Sequence, residues 1–316
     1  MQISGGVTLS GGVNLAPGSG GSSGGGYSFQ GSNFGYMSGG GTYSETQRDS
    51  IEKFSFSSDG NATYVGNMTV VRAVLAGQSS SISGYSSTGS NSNTNIIDKF
   101  PFASDDNATD VGDVTVARRH LCGQSSSTNG YSSGGYDTGN SNIIDKFPFA
   151  SDDNATDVGD LTIARYGLTG QSSSANGYTS GGTTPDRNTI DKFPFASDAN
   201  ATDVGDLSVG RTHPAGQSST THGYTSGGQS TNGSEVTIID KYTFASDGNA
   251  TDVGDLTQSR NYVTGQSSTI NGYSSGGQNV GNFNIIDKFP FASDANATDV
   301  GDLTTGISGY AAGQQY

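Results

Sequence analysis

The residues best placed to do chemistry are carboxylates and amides in a recurring run, Ser-Asp-x-Asn-Ala-Thr-Asp-Val-Gly-Asp. Alternating oxygen ligands can bind Ca²⁺, and one copy offers Asp105, Asn107, Asp110 and Asp113. As an EF-hand loop the run fails, because Asp110 stands where the sharp turn needs Gly and Val116 stands where a bidentate Glu is needed. The alternative is a turn whose Asp and Asn side chains bond their own backbone. The sequence favours this turn and keeps a cation site, in each copy of the run, as the second interpretation.

Catalysis needs a unique constellation of residues, so residues that break a repeat are the candidates for it. The three histidines, His120, His213 and His222, are interpreted as lying at unrelated repeat positions, and only three Glu are present. The single cysteine, Cys122, excludes an intrachain disulfide and is interpreted as a small buried hydrophobe, with a reactive thiol as the alternative. We therefore expect no enzyme and no cofactor.

These residues belong to six copies of one repeat. The acidic residue of the Ile-Asp-Lys-Phe step recurs every 46 to 49 residues, at Glu52, Asp98, Asp145, Asp191, Asp240 and Asp287. Near-identical units of this length, with four short strand-like runs each and no helical periodicity, predict an all-β, six-bladed β-propeller with four antiparallel strands per blade. We name the strands a (Ala/Thr-Gly-Gln-Ser), b (Gly-Tyr-x-Ser-Gly-Gly), c (Ile-Asp-Lys-Phe-Pro-Phe) and d (Ala-Thr-Asp-Val-Gly-Asp-Leu). The units start near residues 35, 84, 130, 177, 223 and 272.

The two ends of the repeat region predict how the ring closes. The first unit enters at strand b, and the last unit is followed by Ala-Ala-Gly-Gln-Gln at 311–315, which looks like the missing strand a. We expect this C-terminal strand to pair with the first blade, which removes exposed edges. The propeller is assigned to residues 27–316. Residues 1–26 are rich in Gly and Ser and are interpreted as an attachment segment, with a plain disordered terminus as the alternative.

The charge balance restricts the partners. The formal net charge is −15, with 29 acidic and 14 basic residues, so no basic stripe is expected to hold nucleic acid. No apolar stretch approaches the roughly 20 residues of a spanning helix, and no secretory signal is recognised at the start. Neither membrane insertion nor ordinary secretion is expected. The six Asn-Ala-Thr triplets match a glycosylation acceptor, but the match is interpreted as incidental.

A buried network of carboxylates and guanidinium groups is also predicted. If strand c alternates regularly, Asp98 shares a face with Phe100 and Phe102, so its carboxylate needs a partner. A recurring Arg is the candidate, with pairing between adjacent blades, and it lies at Arg72, Arg118, Arg165, Arg211 and Arg260. The sixth unit has Gly306-Ile-Ser there and lacks the Arg.

The b–c connections vary in length and content, while strands a, c and d repeat almost verbatim. In a four-stranded blade these loops emerge on the same face as the d–a connections. Polar, aromatic-tipped loops on a rigid ring suit recognition of carbohydrate or protein, and unconstrained surface is the alternative. The candidate binding residues are Tyr43, Arg48, Tyr136, Asp137, Asp186, Arg187, Asn232, Glu235, Asn279 and Phe283.

The repeat wording resembles a known family. Arg-x-x-x-x-Gly, an aromatic strand ending in Gly-Gly, an Ile/Val-rich strand and a short final strand resemble the kelch repeat of about 50 residues, although its late-blade Trp is absent. Asp-Lys-Phe-Pro-Phe-Ala-Ser-Asp-x-Asn-Ala-Thr-Asp-Val-Gly-Asp-Leu, with Gly-Gln-Ser-Ser-x-x-x-Gly-Tyr-x-Ser-Gly-Gly, is similar to kelch-like repeats in virion and tail-fibre-type proteins of tailed bacteriophages, especially those infecting marine cyanobacteria.

This resemblance implies a structural or host-attachment role in a virion that is assembled in the host cytoplasm. The partners it implies are other virion proteins, held through the N-terminal segment, and a glycan or protein receptor on the host surface. Oligomers fit the same interpretation. A cellular kelch-like scaffold for a protein partner and a lectin-like carbohydrate-binding module remain as alternatives.

Overall fold

The computed structural model describes residues 29–41, 46–90, 94–183, 188–304, 309 and 311–316. Within these ranges the chain contains no helix and forms six four-stranded antiparallel sheets and one two-stranded sheet. The expected six-bladed β-propeller is confirmed. The b strands begin one residue earlier than the repeat units suggested, at Phe34 in the first blade.

Each blade runs from strand a, nearest the axis, to strand d at the rim. In the order a to d, blade 1 consists of β26 (Ala312–Gln315), β1 (Phe34–Ser38), β2 (Ser50–Ser55) and β3 (Thr63–Asn67), and blade 2 of β4 (Ala76–Ser79), β5 (Ser83–Ser87), β6 (Ile96–Pro101) and β7 (Thr109–Asp113). Blade 3 consists of β8 (Cys122–Ser125), β9 (Asn129–Ser133), β10 (Ile143–Pro148) and β11 (Thr156–Asp160), and blade 4 of β12 (Thr169–Ser172), β13 (Asn176–Ser180), β14 (Thr189–Pro194) and β15 (Thr202–Asp206). Blade 5 consists of β17 (Ala215–Ser218), β18 (His222–Ser226), β20 (Ile238–Thr243) and β21 (Thr251–Asp255), and blade 6 of β22 (Thr264–Ser267), β23 (Asn271–Ser275), β24 (Ile285–Pro290) and β25 (Thr298–Asp302). The two-stranded sheet joins β16 (Arg211–Thr212) to β19 (Gln229–Ser230).

The C-terminal strand closes the ring as predicted. β26 pairs antiparallel with β1, in a register from Gly35 opposite Gln315 to Ser38 opposite Ala312. The last strand of the chain thus becomes the innermost strand of the first blade. Since both ends of the ring share one sheet, no blade interface is left open.

Aromatic rings fill the interfaces between blades. The Tyr of each strand b lies against the two aromatic residues at the end of strand c in the next blade, as Tyr85 does with Phe147 and Phe149, at ring-centroid distances of 5.5 and 4.8 Å. Tyr273 of blade 6 makes the same contacts with Phe54 and Phe56 of blade 1. Burial of these large rings is the main apolar stabilisation of the ring.

Nearer the axis, polar side chains connect the blades. The Gln of each strand a is buried, and Gln78 donates across the interface to the carbonyl of Tyr131 at 2.9 Å and to the hydroxyl of Ser132 at 3.0 Å. Gln314 in the closing strand donates to Tyr85 and Ser86 in the same way. These bonds explain why Gly-Gln-Ser and the Ser of strand b recur together, because the Gln of one blade donates to the Ser in strand b of the next blade.

The Asn-Ala step of the c–d turn also connects neighbouring blades. Asn154 Oδ1 accepts a hydrogen bond from the backbone N–H of Asp113 in the preceding blade at 3.0 Å, and the N–H of Ala155 donates to the carbonyl of Asp113 at 2.8 Å. The equivalent pairs recur around the whole ring. The Asn was expected to bond its own turn, and this was wrong for the Asn. It caps the outer strand of another blade, so a partner about 40 residues away determines its identity.

Replacing Asn154 with Ala is expected to lower the free energy of unfolding by about 1 kcal/mol, because the N–H of Asp113 loses its acceptor. Asp153→Ala is the matched control, since its carboxylate bonds only Ser151 within the same exposed turn, and we expect a change within about 0.5 kcal/mol. Urea denaturation of both variants measures the difference. Equal losses would show that the bond between blades adds no stability.

The lysines form a ring of ion pairs around one face. Each Lys of strand c contacts an Asp in the c–d turn of the next blade, as in Lys53–Asp105 at 2.6 Å and Lys99–Asp152 at 2.9 Å. The other four lysines follow the same rule, and Lys288 closes the ring on Asp59. All six lysine charges are thereby balanced, so the net negative charge lies on the remaining carboxylates.

Candidate functional site

Strand direction gives the propeller two different faces. The b–c loops and the d–a connections lie on one side, called here the loop face, and the a–b and c–d turns lie on the other, called here the hairpin face. On the loop face, in blades 2, 3, 5 and 6, the d–a connection pairs with the base of the b–c loop of the blade it enters. The bridges are Ala73 to Ser90, Arg119 to Tyr136, β16 to β19, and Asn261 to Gln278.

The loop residues singled out from the sequence do not converge on one pocket. Tyr43, Asp186 and Arg187 lie outside the described residues. The others are distributed over the loops of blades 1, 3, 5 and 6, and several support their own loop. Asn232 accepts from Ser230 and Ser234, Glu235 accepts from Gln229, and the backbone N–H groups of Arg48, Asp137 and Phe283 donate to carbonyls of their own loops. Asn279 instead donates to Ser259 in the d–a connection that enters its blade.

Tyr136 is the described loop candidate that reaches toward the axis. Its ring centroid lies 5.3 Å from that of Tyr166, in an edge-to-face arrangement, and the guanidinium of Arg119 lies 5.1 Å from the Tyr136 centroid. Tyr166 in turn lies against His120 at 5.5 Å. These ring contacts therefore lead from one b–c loop to the end of the channel that runs along the propeller axis. We call this end, on the loop face, the mouth.

The mouth is formed by residues that share one repeat position. The residue two before strand a is Val74, His120, Gly167, His213 and Tyr262 in blades 2 to 6. His120 and His213 are therefore equivalent positions, not unrelated ones, and the structure brings them together. Aligning the units on Gly-Gln, three residues downstream, would have found them. We call these five residues the axial collar.

The backbone of the collar explains its shape. The N–H of His120 donates to the carbonyl of Val74 at 3.0 Å, that of Gly167 to His120 at 2.8 Å, and that of His213 to Gly167 at 2.6 Å. All five residues have left-handed φ angles between 53° and 67°, which turn these groups around the axis. The non-Gly members bear the strain of this conformation.

The collar side chains form a compact cluster of rings. His213 Nε2 and His120 Nδ1 are 3.1 Å apart, and His213 Nδ1 is 3.0 Å from the hydroxyl of Thr212. The ring of His213 lies 4.0 Å from that of Tyr262. Below the rings, a cavity of about 70 Å³ extends toward the channel. His222, in contrast, lies in strand b on the hairpin face.

Burial, reinforced by the charge of Arg119, lowers the pKa of the His120 imidazole to about 4. The folded protein therefore holds His120 neutral below the ordinary pKa of about 6.5, while the unfolded chain takes up the proton. Full stability is present above about pH 6.5 and is lost as the pH falls toward 4.

Between pH 6.5 and 4, we expect the free energy of unfolding of the wild type to fall by about 2 kcal/mol more than that of His120→Val or His120→Gly. This difference is smaller than the full pKa shift implies, because the imidazole ring is partly exposed. Val74 and Gly167 show that both side chains fit the collar. Urea denaturation of the three proteins across this range measures the difference. Stability curves that stay parallel across this pH range would contradict the lowered pKa of His120.

The predicted Asp–Arg network is confirmed. Arg118 Nη1 lies 2.7 Å from Asp145 Oδ2, both side chains are fully buried, and Thr115 donates to Asp145 Oδ1 at 2.6 Å. The Arg follows strand d of one blade and binds the Asp of the next. Burial lowers the pKa of the equivalent Arg72, and the carboxylate of Asp98 opposes that shift. The remaining pairs are Arg72–Asp98, Arg165–Asp191, Arg211–Asp240 and Arg260–Asp287.

The side chains of the carboxylate run make contacts within the protein. Asp105 pairs with Lys53, Asn107 accepts from the N–H of Asn67, and Asp110 accepts from the N–H of Gly112. Among the described residues, no three His, Cys, Asp or Glu side chains are grouped to share a metal ion. Asp105, Asn107 and Asp110 thus serve separate contacts, and Asp113 ends β7, where its backbone carbonyl accepts from the N–H of Ala155.

Cys122 is buried at the start of β8, as expected for a small hydrophobe. Burial raises the pKa of its thiol to about 12, so the thiolate is not formed at neutral pH. Gln124 Nε2 contacts the sulfur at 3.1 Å.

Comparison with known proteins adds no family. A scan against protein families finds none that matches the chain, and a search of curated proteins finds no significant match. Over the ranges that the structure covers, no helix is long and apolar enough to cross a membrane.

Proposed function

We propose that this protein is a non-enzymatic structural component of a virion, in a tail fibre or a similar appendage, and that its loop face contacts the host surface. The resemblance of the repeat to kelch-like repeats of tailed bacteriophage proteins suggests the setting. The observation that carries the proposal is the opposite placement of the N-terminal connection and the variable loops.

The N-terminal connection lies at the axis of the hairpin face. Residues 29–33, called here the axial strap, cross the end of the channel: Gln30 Nε2 donates to the carbonyl of Ser218 in blade 5, and the N–H of Gly31 donates to Ser267 in blade 6, both at 2.9 Å. Phe29 lines the channel cavity of about 110 Å³. The described chain thus begins, at Phe29, on the axis of the propeller.

One departure from the repeat accommodates the strap. The last residue of strand a is Ser in blades 2 to 6, where its hydroxyl accepts the N–H of the preceding blade, as Ser125 does for Ser79 at 3.0 Å. Blade 1 has Gln315 instead, and its side chain donates to the carbonyl of Phe29 at 3.0 Å. The chain has a specific contact where the strap arrives, which supports a structural role for this segment.

This arrangement suits a protein held at one face and presenting the other. A segment joined on the axis of the hairpin face can attach to other virion proteins without covering the loop face. The variable b–c loops then point away from the attachment. Aromatic contacts, Asn-Ala pairs and Arg–Asp pairs join the blades, so the binding surface is presented on a rigid support.

Immunogold labelling of purified particles from the source, with antibody against residues 27–316, tests the proposal. Label at appendage tips is the expected result. Label over the capsid would contradict host attachment and indicate a decorating protein. Absence of label from every particle would overturn the virion assignment and favour a cellular scaffold.

A further inference from the structure

The axial collar carries side chains that the fold does not require. Four of its five described members, Val74, His120, His213 and Tyr262, have positive φ angles without being Gly, and each such residue is strained by about 1 kcal/mol or more relative to Gly. Gly167, with φ of 67°, shows that Gly satisfies the same backbone. Selection of rings at strained positions points to a use for the rings themselves.

Gly167 has a second effect that makes the cluster possible. A Cβ at this position would lie 2.4 Å from Thr212 Oγ1 and 2.8 Å from His213 Nε2. The space left by Gly167 lets His213 reach across blade 4 and contact His120. Three consecutive blades thus carry His120, Gly167 and His213 at one repeat position, and the Gly allows the two His side chains to meet.

The chemistry of this mouth restricts its ligand. It combines the faces of aromatic rings, from Tyr166 and Tyr262, with imidazole and phenol groups that bond hydroxyls. The cavity of about 70 Å³ below the rings is too small to hold a ligand ring, so a bound unit lies over the rings at the mouth, where the small area suits one ring-sized unit better than an extended chain. Eleven of the fourteen basic residues are held in ion pairs in a protein of net charge −15. The cation beside the mouth, Arg119, lies over the ring of Tyr136, and the overall negative charge disfavours an anionic unit.

We propose that the axial collar, with Tyr136 and Tyr166, binds the neutral terminal sugar unit of a glycan. This deepens the proposed function and rests on its assignment of the loop face as the host-binding surface. The sugar ring lies against the aromatic faces, and its hydroxyls exchange hydrogen bonds with the imidazoles of His120 and His213.

The three histidines allow a direct test by NMR on the full chain. Imidazole ¹⁵N–¹H correlation spectra report His120 and His213 in the site and His222 on the opposite face as an internal control. Methyl glycosides of glucose, galactose, mannose and N-acetylglucosamine are titrated to well above a millimolar Kd, with sialyllactose and a peptide library for comparison. Saturable shifts of His120 and His213 with at least one neutral glycoside, and an unchanged His222, are expected.

Matched variants separate binding from folding. His213→Gly and Tyr262→Gly copy the natural Gly167 and relieve strain, so both are expected to fold. Each is expected to weaken sugar binding by about tenfold or more. His222→Asn copies Asn129 at the same repeat position and is expected to bind like the wild type.

Three outcomes would overturn the collar proposal: no shift with any neutral glycoside, equal shifts of all three histidines, or shifts only with sialyllactose or peptides. The proposed virion role is judged separately by immunogold labelling. Label on appendages without sugar binding would remove the collar proposal alone. Sugar binding without label on any particle would remove the virion role and leave a lectin-like module.

Discussion

Gly123→Ala is expected to prevent folding or to lower the free energy of unfolding by more than about 4 kcal/mol, the range of severe core disruption. The added Cβ would lie 2.0 Å from the carbonyl oxygen of Gly77 in the preceding blade. That oxygen belongs to the backbone, so no side chain can rotate away. The same approach recurs around the axis, at 2.1 to 2.3 Å, for Gly77, Gly170, Gly216, Gly265 and Gly313.

The closed ring makes this clash hard to relieve. In an open sheet a strand could shift outward, but here each innermost strand is confined by two neighbours and the circle closes through β26. Movement of one strand a would also displace its Gln, whose bonds join the next blade. A close approach of backbones excludes any Cβ, which is why Gly is needed at this step.

Gly139→Ala is the matched control. Gly139 lies in a b–c loop, has no atom within 4 Å of an added Cβ and has no positive φ, so a change within about 0.5 kcal/mol is expected. Expression yield and urea denaturation compare the two variants. A Gly123→Ala protein that loses less than about 1 kcal/mol would show that the innermost strands are not in contact.

The sequence predicts the blades because each blade repeats the same local pattern. Strand c places Asp98, Phe100 and Phe102 on one face, toward the preceding blade, as expected, while Ile97 packs toward the following blade. The missing strand before the first unit and the extra Ala-Gly-Gln-Gln at the end predicted the closure by β26. Both inferences needed only strand periodicity and the order of runs along the chain.

Contacts between repeats were harder to predict. The Asn of the c–d turn has local partners available, and nothing in the sequence shows that Asn154 bonds Asp113 instead. The collar was missed because the units were not aligned on Gly-Gln, which hid the equivalence of His120 and His213. In the repeat, Gln315 is the departure that marks the strap, and a single departure does not show which residue it contacts.

Asp145→Ala is expected to lower the free energy of unfolding by about 3–5 kcal/mol, because it leaves the guanidinium of Arg118 buried without its counter-charge. Arg118 has no exposed surface, and its other bonds are to the backbone carbonyls of Gly134, Ser132 and Val116 at 2.7, 3.0 and 3.3 Å. Those dipoles do not replace a full negative charge. The neighbouring pair Lys146–Asp198 provides the control, since it is partly exposed, and Asp198→Ala is expected to cost less than about 1 kcal/mol.

The chain itself suggests a compensating change. At the junction of blades 6 and 1, Glu52 takes the place of Asp145, and Thr304 donates to Glu52 through its N–H and its hydroxyl. In the sequence, counted from strand d, Ile stands at position 307, the repeat position of Arg118. The double variant Arg118→Ile with Asp145→Glu copies this junction. It should recover a substantial part of the stability lost in Arg118→Ile alone, because Thr115 can hold the Glu as Thr304 does. A double variant less stable than Arg118→Ile would mean that the sixth junction relies on further contacts. Equal losses for Asp145→Ala and Asp198→Ala would show that the buried pair adds no more stability than an exposed one.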